Sequence, residues 1–287
     1  LGLGDQLMLR GGHDAISDHQ KTSKNTMLYY NLPWGWWNFS YTYSESDYRT
    51  YGVTDGFKFK QDGDNQNHQL RAERVIHRDD VSKTSVNVGL AHLRTNNYIL
   101  DVRTAPSSNR LSELQLGVNH GRRIGSAFVN LDLGMQSGIG LLDAQSQDER
   151  DPLGRRQPNS RYRKYTATVS YLQPFSLWGE SFSFSSLATG QRSEDILFSP
   201  QRMSLGGSAS VRGFKDQLLT GDSGGYWRNE VRWARPVTLD WMRPAFAEYG
   251  ASVGYDQGVI SNDRYNDNVH GRVSSNSLEL FARGKHV

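Results

Sequence analysis

Residues 113–136 read Glu-Leu-Gln-Leu-Gly-Val-Asn-His-Gly-Arg-Arg-Ile-Gly-Ser-Ala-Phe-Val-Asn-Leu-Asp-Leu-Gly-Met-Gln, two alternating runs around a short break. In the first run Leu114, Leu116 and Val118 alternate with Glu113, Gln115, Gly117 and Asn119. In the second, Val129, Leu131, Leu133 and Met135 alternate with Asn130, Asp132, Gly134 and Gln136. Successive side chains of a β-strand point to opposite faces, so each run is a strand with one aliphatic and one strongly polar face. The break at Arg122–Gly125 is a short turn that makes the pair a hairpin.

The same period recurs along the chain. Thr84–Ala91 sets Val86, Val88 and Leu90 against Ser85, Asn87 and Gly89, and Tyr165–Tyr171 sets Tyr165, Ala167, Val169 and Tyr171 against Thr166, Thr168 and Ser170. A soluble β-sandwich alternates too. Here, however, the polar set includes Asp, Glu, Gln and Arg on many strands while the other set stays apolar. Composition points the same way: mean hydropathy is −0.68 and hydrophobic residues are only 36%, yet there are 29 Gly, 14 Tyr and 7 Trp. No run approaches the roughly 18 apolar residues of a spanning helix, and the pattern is too aromatic for disorder. A barrel with a wet interior and a lipid-facing outer surface fits both observations. With no cysteine, a disulfide framework and thiolate metal sites are excluded. The net charge of +3 is spread along the chain without a basic block, so no nucleic-acid partner is expected.

Twelve strands are expected, near 3–13, 24–32, 36–47, 64–77, 83–95, 109–122, 126–137, 161–173, 180–191, 226–234, 244–257 and 272–286. Short turns fall at Pro33–Gly35, His77–Ser82, Arg122–Gly125, Pro174–Gly179 and Ala234–Arg243. Longer polar stretches alternate with them, at 14–23, 48–63, 96–108, 138–160, 191–225 and 257–270. Short turns at one end and long loops at the other is the arrangement of outer-membrane barrels. Trp34, Trp36, Trp37, Trp178, Trp233 and Trp241 lie in or beside the short turns, as an aromatic girdle at one interface requires. The alternative is a soluble sandwich whose tryptophans lie near turns.

The longest loop, 191–225, contains Val211-Arg212-Gly213-Phe214. This matches the VRGF/Y signature of the barrel superfamily that assembles or secretes proteins across outer membranes. Gly206-Gly207 precedes it, Gly221–Glu230 follows it, and Gly254-Tyr255-Asp256-Gln257-Gly258 resembles a GxDxG motif two strands further on. Together these resemble the two-partner secretion branch, the TpsB or hemolysin-activator type. The resemblance implies an all-β transmembrane antiparallel barrel of about sixteen strands, with the twelve here being the third to fourteenth. It makes 1–287 a partial barrel domain, with the plug helix, two POTRA domains and the terminal strands outside this chain. The first residue, Leu1, fits a processed or truncated chain. The resemblance also implies a bacterial outer-membrane location, a monomer without cofactor, and a TpsA-type exoprotein partner (adhesin, hemolysin or contact-dependent inhibition toxin). Outer-membrane lipid is the other expected partner.

Parity gives the motifs a geometry. Along 244–257, Phe246, Glu248, Gly250, Ser252, Gly254 and Asp256 share one face, so Asp256 points into the lumen. In the family that the chain resembles, the long loop folds into the barrel and its Arg pairs with that Asp. This implies that Arg212 meets Asp256, that Gly213 turns the loop tip by accepting positive φ, and that Gly254 and Gly258 leave room for the loop. Taken alone, the residues favour Arg212 as a solvated loop charge and Asp256 as an ordinary lumen residue. Glu230 and Glu248 also point inward and are rival partners. Three other readings compete: a barrel-assembly or insertase protein of the same superfamily, a passive porin, and an outer-membrane hydrolase. For the last, Gly221-Asp222-Ser223-Gly224-Gly225 with His92 and Asp101 upstream has the residue types of a serine-protease triad. The eight histidines show no paired metal-ligand spacing.

Overall fold

The computed structural model describes residues 4–14, 21–104, 107–145, 158–214, 219–238, 245–261 and 270–284. Among them run β1(Gln6–His13), β2(Thr22–Trp34), β3(Trp37–Thr54), β4(Phe57–Arg78), β5(Ser82–Ile99), β6(Val102–Arg103), β7(Asn109–Ile124), β8(Ala127–Ile139), β9(Arg163–Leu177), β10(Glu180–Ser193), β11(Met203–Leu205), β12(Leu219–Gly221), β13(Gly224–Pro236), β14(Phe246–Ile260) and β15(Gly271–Gly284). Twelve of these form one antiparallel wall in the order β1-β2-β3-β4-β5-β7-β8-β9-β10-β13-β14-β15, with β6 paired to β5. The wall is the transmembrane barrel that the alternation predicts, and each expected strand has its counterpart. Residue 3 and residues 285–286 of the expected end strands, and Trp241, lie outside the described residues.

Register fixes the two faces. On β5, β7 and β8 the paired rows Val88↔Leu116, Leu116↔Met135, Leu90↔Leu114 and Val118↔Leu133 make an aliphatic outer band. Leu70, Leu90, Leu116, Leu133, Leu278 and Leu280 are exposed on that side, as lipid contact requires. An apolar groove between Tyr30, Tyr41, Leu70 and Leu90 belongs to this outer surface. The inner rows are polar: Asn119 donates to Asp132 at 2.7 Å, and Gln69 to Gln115 at 2.9 Å. At the short-turn end, Gly35 (φ 60°) and Gly125 (φ 61°) take the left-handed first position of two-residue hairpins. Trp34 and Trp178, 71% and 89% exposed, stand at the same end.

Two expected loops turn out shorter. Residues 48–63 are mostly strand: β3 runs to Thr54 and β4 starts at Phe57, joined by Asp55-Gly56 with φ of 49° and 80°. The polar composition misleads because this hairpin outruns the membrane. Spanning needs only about 9–11 residues, and a strand in water on both faces need not alternate. Likewise β5 continues to Ile99 and returns through Leu100-Asp101 (φ 50° and 64°) into β6.

Candidate functional site

The segment between β10 and β13 crosses one short turn at Ser199–Gln201 and forms a small hairpin, β11 with β12. Met203 and Leu205 of β11 bury against Ile260 of β14, with Leu219, Tyr226 and Val273 packed around them. An apolar cluster therefore forms where the loop lies on the inner wall. Beyond Leu205 the chain turns at Gly206 and Gly207 (φ 135° and 73°). The tip closes on itself: Gly206 N–H donates to Ser210 Oγ at 2.8 Å, and Phe214 N–H to the Val211 carbonyl at 3.2 Å.

The tip carries Arg212 into the wall. Its Nε and Nη2 donate to Asp256 Oδ2 and Oδ1 at 2.8 and 2.9 Å, a two-pronged bond that a planar guanidinium makes and an ammonium cannot. The Arg212 backbone N–H adds a third bond to Oδ2 at 3.0 Å. Its Nη1 reaches Glu230 on the neighbouring strand. Arg212 thus bridges β13 and β14, and these carboxylates, Asp256 first, push its guanidinium pKa further up, so the charge persists at any working pH. Asp256 is fully buried. Glu248 is not part of this set: it lies eight residues down β14, about 27 Å at strand rise, where it binds Arg232 at 2.9 Å and Arg283 at 3.1 Å.

The glycines sit where the loop touches the wall. A Cβ on Gly254 would strike the Arg212 guanidinium, and one on Gly258 would lie 2.9 Å from Leu205 and 3.1 Å from Val211. Gly213 does not have the positive φ expected of it; that conformation falls on Gly206 and Gly207 instead. What restricts position 213 is its approach to Ser275 of β15, whose Oγ accepts its N–H at 3.1 Å. Val211 is fully buried, and Phe214 half-buried.

Several residues at the site escape a reading of the sequence. Arg228, inward on β13, donates to the loop carbonyls of Ser208 and Ala209 at 2.9 and 3.1 Å and lies 3.9 Å from Asp256. The loop base has its own anchors: Lys164 holds Gln201 Oε1 at 2.8 Å, Gln191 bridges the carbonyls of Gln201 and Asp222 at 3.0 Å each, and Asp222 accepts the Leu197 N–H at 2.9 Å. Parity marks Arg228 as inward, but no sequence pattern pairs a wall residue with loop backbone.

The triad residues are not brought together. Ser223 Oγ is bonded to the Ser193 backbone N–H and carbonyl, both at 3.0 Å. His92 faces outward and bonds Ser112 Oγ at 2.9 Å, while Asp101 pairs with Lys60.

The family model described as haemolysin secretion/activation protein ShlB/FhaC/HecB matches residues 1–281. The outer membrane transporter CdiB of Escherichia coli is 32% identical over the whole of this chain and 47% of its own length. Hemolysin transporter protein HpmB of Proteus mirabilis is 28% identical over 80% of this chain and 41% of its own. The solved structure of CdiB from Escherichia coli superposes with a TM-score of 0.88 at 29% identity, covering 99% of this chain and 51% of that one. BamA from Haemophilus ducreyi matches with a TM-score of 0.53 at 11% identity, a likeness of fold alone. The chain spans about half the length of the curated relatives it matches.

Proposed function

This chain belongs to the haemolysin secretion/activation protein family ShlB/FhaC/HecB, and we propose that it is the barrel portion of an outer-membrane transporter that exports one large partner exoprotein. Its relatives carry the names outer membrane transporter and hemolysin transporter. On this reading the plug helix, POTRA domains and remaining strands come from the part of the relatives' length that this chain does not span. The partner is a TpsA-type protein (adhesin, hemolysin or growth-inhibition toxin), and one copy of the transporter suffices.

The observation that carries the reading is the Arg212 latch. A loop tied into the wall by a buried ion pair suits a gated protein channel, whose lumen is occupied at rest and cleared during passage. The exoprotein enters extended, displaces residues 206–214, and moves along a wall whose mixed charges (Asp132, Arg228, Glu230, Arg232) hold no segment tightly. Folding outside prevents return. No nucleotide is consumed.

Arg212→Ala and Asp256→Ala in the full-length transporter test the reading through export of the cognate exoprotein. Each removes one partner of a shielded pair, worth about 3–5 kcal/mol of loop docking, and each is expected to reduce export while the barrel still reaches the membrane. Unchanged export in both variants would remove the latch from the mechanism.

A further inference from the structure

The outer face of β5–β10 carries two pairs of arginines toward the long loops, the second pair in register with Leu114 rather than with Arg110. The register that faces Val88 and Leu90 outward on β5 does the same for Arg94, which is paired directly with Arg110 on β7. On β9 and β10 the outward set ends in Arg163 and Arg192: Arg192 pairs with Tyr165, two residues from Arg163, so the two arginines are diagonal neighbours. Arg94, Arg163 and Arg192 are exposed. Among the described residues they have no ion pair, and only Arg110 has one, to Asp143. The outward positions within β5, β7, β8 and β9 carry no acid, and that of β10 only Glu180, at the short-turn end; past the end of β10 stand Glu194 and Asp195, whose Oδ2 accepts the Arg163 N–H at 2.9 Å. The neighbouring sector differs: on β2–β4 the same rim holds Glu45, Asp47 and Asp62, which match its lysines.

A second feature accompanies the arginines. Ser112, outward on β7, donates its hydroxyl to the Leu141 carbonyl at 2.6 Å, and the Gln145 N–H bonds the Arg110 carbonyl at 2.9 Å. These bonds fold the turn after β8 down onto the outside of the wall. Leu142 and Asp143 both take positive φ there (54° and 59°), and Leu141 and Leu142 are left 55% and 69% exposed beside Arg110. Two leucines and four arginines, at the loop end of an aliphatic band, complement a molecule with phosphate at one end and acyl chains at the other.

We propose that this rim, Arg94 with Arg110 and Arg163 with Arg192, binds the phosphate-bearing headgroup of an outer-leaflet lipid, whose chains run down the band past Leu141 and Leu142. The site rests on the membrane reading of the barrel, but not on the latch or on export. Arginine suits it because its fork engages phosphate oxygens in pairs.

The test uses the full-length transporter in detergent, titrated with diphosphorylated lipid A and with the same lipid after enzymatic removal of both phosphates, bound species being counted by native mass spectrometry. The wild type is expected to prefer the phosphorylated form at least tenfold. Arg94→Gln/Arg163→Gln/Arg192→Gln is expected to bind both forms equally, while Arg122→Gln, on the short-turn rim, keeps the preference. Equal binding of the two lipids by the wild type would overturn the site, even if the triple variant failed to fold. So would a preference that survives in a folded triple variant. Export is scored separately: loss of the lipid preference with export intact bears on this site alone, and export indifferent to Arg212→Ala bears on the latch alone.

Discussion

Arg212 meets a set of groups rather than a single partner. Asp256 takes three of its bonds, Glu230 a fourth, and Arg228 stands 3.9 Å from the same carboxylate. Exchanging the two charges, Arg212→Asp with Asp256→Arg, would therefore set Asp against Glu230 and Arg against Arg228. The exchange is expected to leave loop docking broken, although an isolated pair would be rescued. Gly254→Ala is the more discriminating change. The atoms in the way of the new methyl group are side-chain ends, the Arg212 guanidinium and the Ser277 hydroxyl on β15, so these shift while the backbone of the barrel stays. Limited proteolysis of the loop should show faster cleavage in Gly254→Ala, by a loss of about 1–3 kcal/mol for bonds to a buried charge, with the barrel's heat-modifiable mobility unchanged. The motif and strand parity make Arg212 and Asp256 legible in the sequence. Parity does not separate Glu230 from Glu248, because it reports the face of a strand and not the height along it. The φ of Gly213 is illegible for a similar reason: a loop sequence shows that glycine is needed without showing whether a torsion or a neighbour requires it.

Single elements show where alternation works and where it stops. Strands inside the bilayer face lipid and water on opposite sides, and every one of them can be read from its residues. Above the bilayer β3 and β4 have water on both sides, the polarity contrast disappears, and their distal halves read as loop until Asp55-Gly56 is recognised as a tight turn. The β4–β5 turn is held differently, by a side chain. Asp79 Oδ1 accepts the Val81 N–H at 2.9 Å and the Ser82 N–H, and Oδ2 accepts the Ser82 hydroxyl at 3.0 Å. These backbone bonds, that of Val81 first, hold its carboxyl well below the usual carboxylate range. Because the folded pKa is depressed, the turn keeps its full contribution above the unfolded value of about 3.9. It loses it only as pH falls through the lower folded value. Hydrogen-exchange protection factors of the Val81 and Ser82 amides are accordingly expected to stay constant from pH 8 to 5 in the wild type. In Asp79→Ala they should collapse across that whole range.

For the molecule as a whole, the placement of the apolar groups decides the mechanism. A barrel spends its aliphatic residues on lipid. The cluster of Met203, Leu205 and Ile260 lies instead where the loop meets the inner wall, so loop and wall together form the interior of this chain. The loop is held twice: at its base through Lys164, Gln191 and Asp222, and at its tip through Arg212 and Gly213. Between the two lie Gly206 and Gly207, whose positive φ turns the chain from base to tip. Under the proposed transport role, passage of an exoprotein would then require release of 206–214 only. The absence of cysteine in this chain makes that directly testable. Gly213 and Ser275 lie in contact, close enough for a disulfide after a small adjustment toward the usual Cβ separation of about 3.8 Å. Gly213→Cys/Ser275→Cys in the full-length transporter should export far less when oxidised than when reduced, whereas each single cysteine, whatever its own level of export, should export equally under both conditions. Export that continues through the oxidised pair would mean that the lumen passes its cargo with the tip in place, and the latch would then be a brace of the wall rather than its gate.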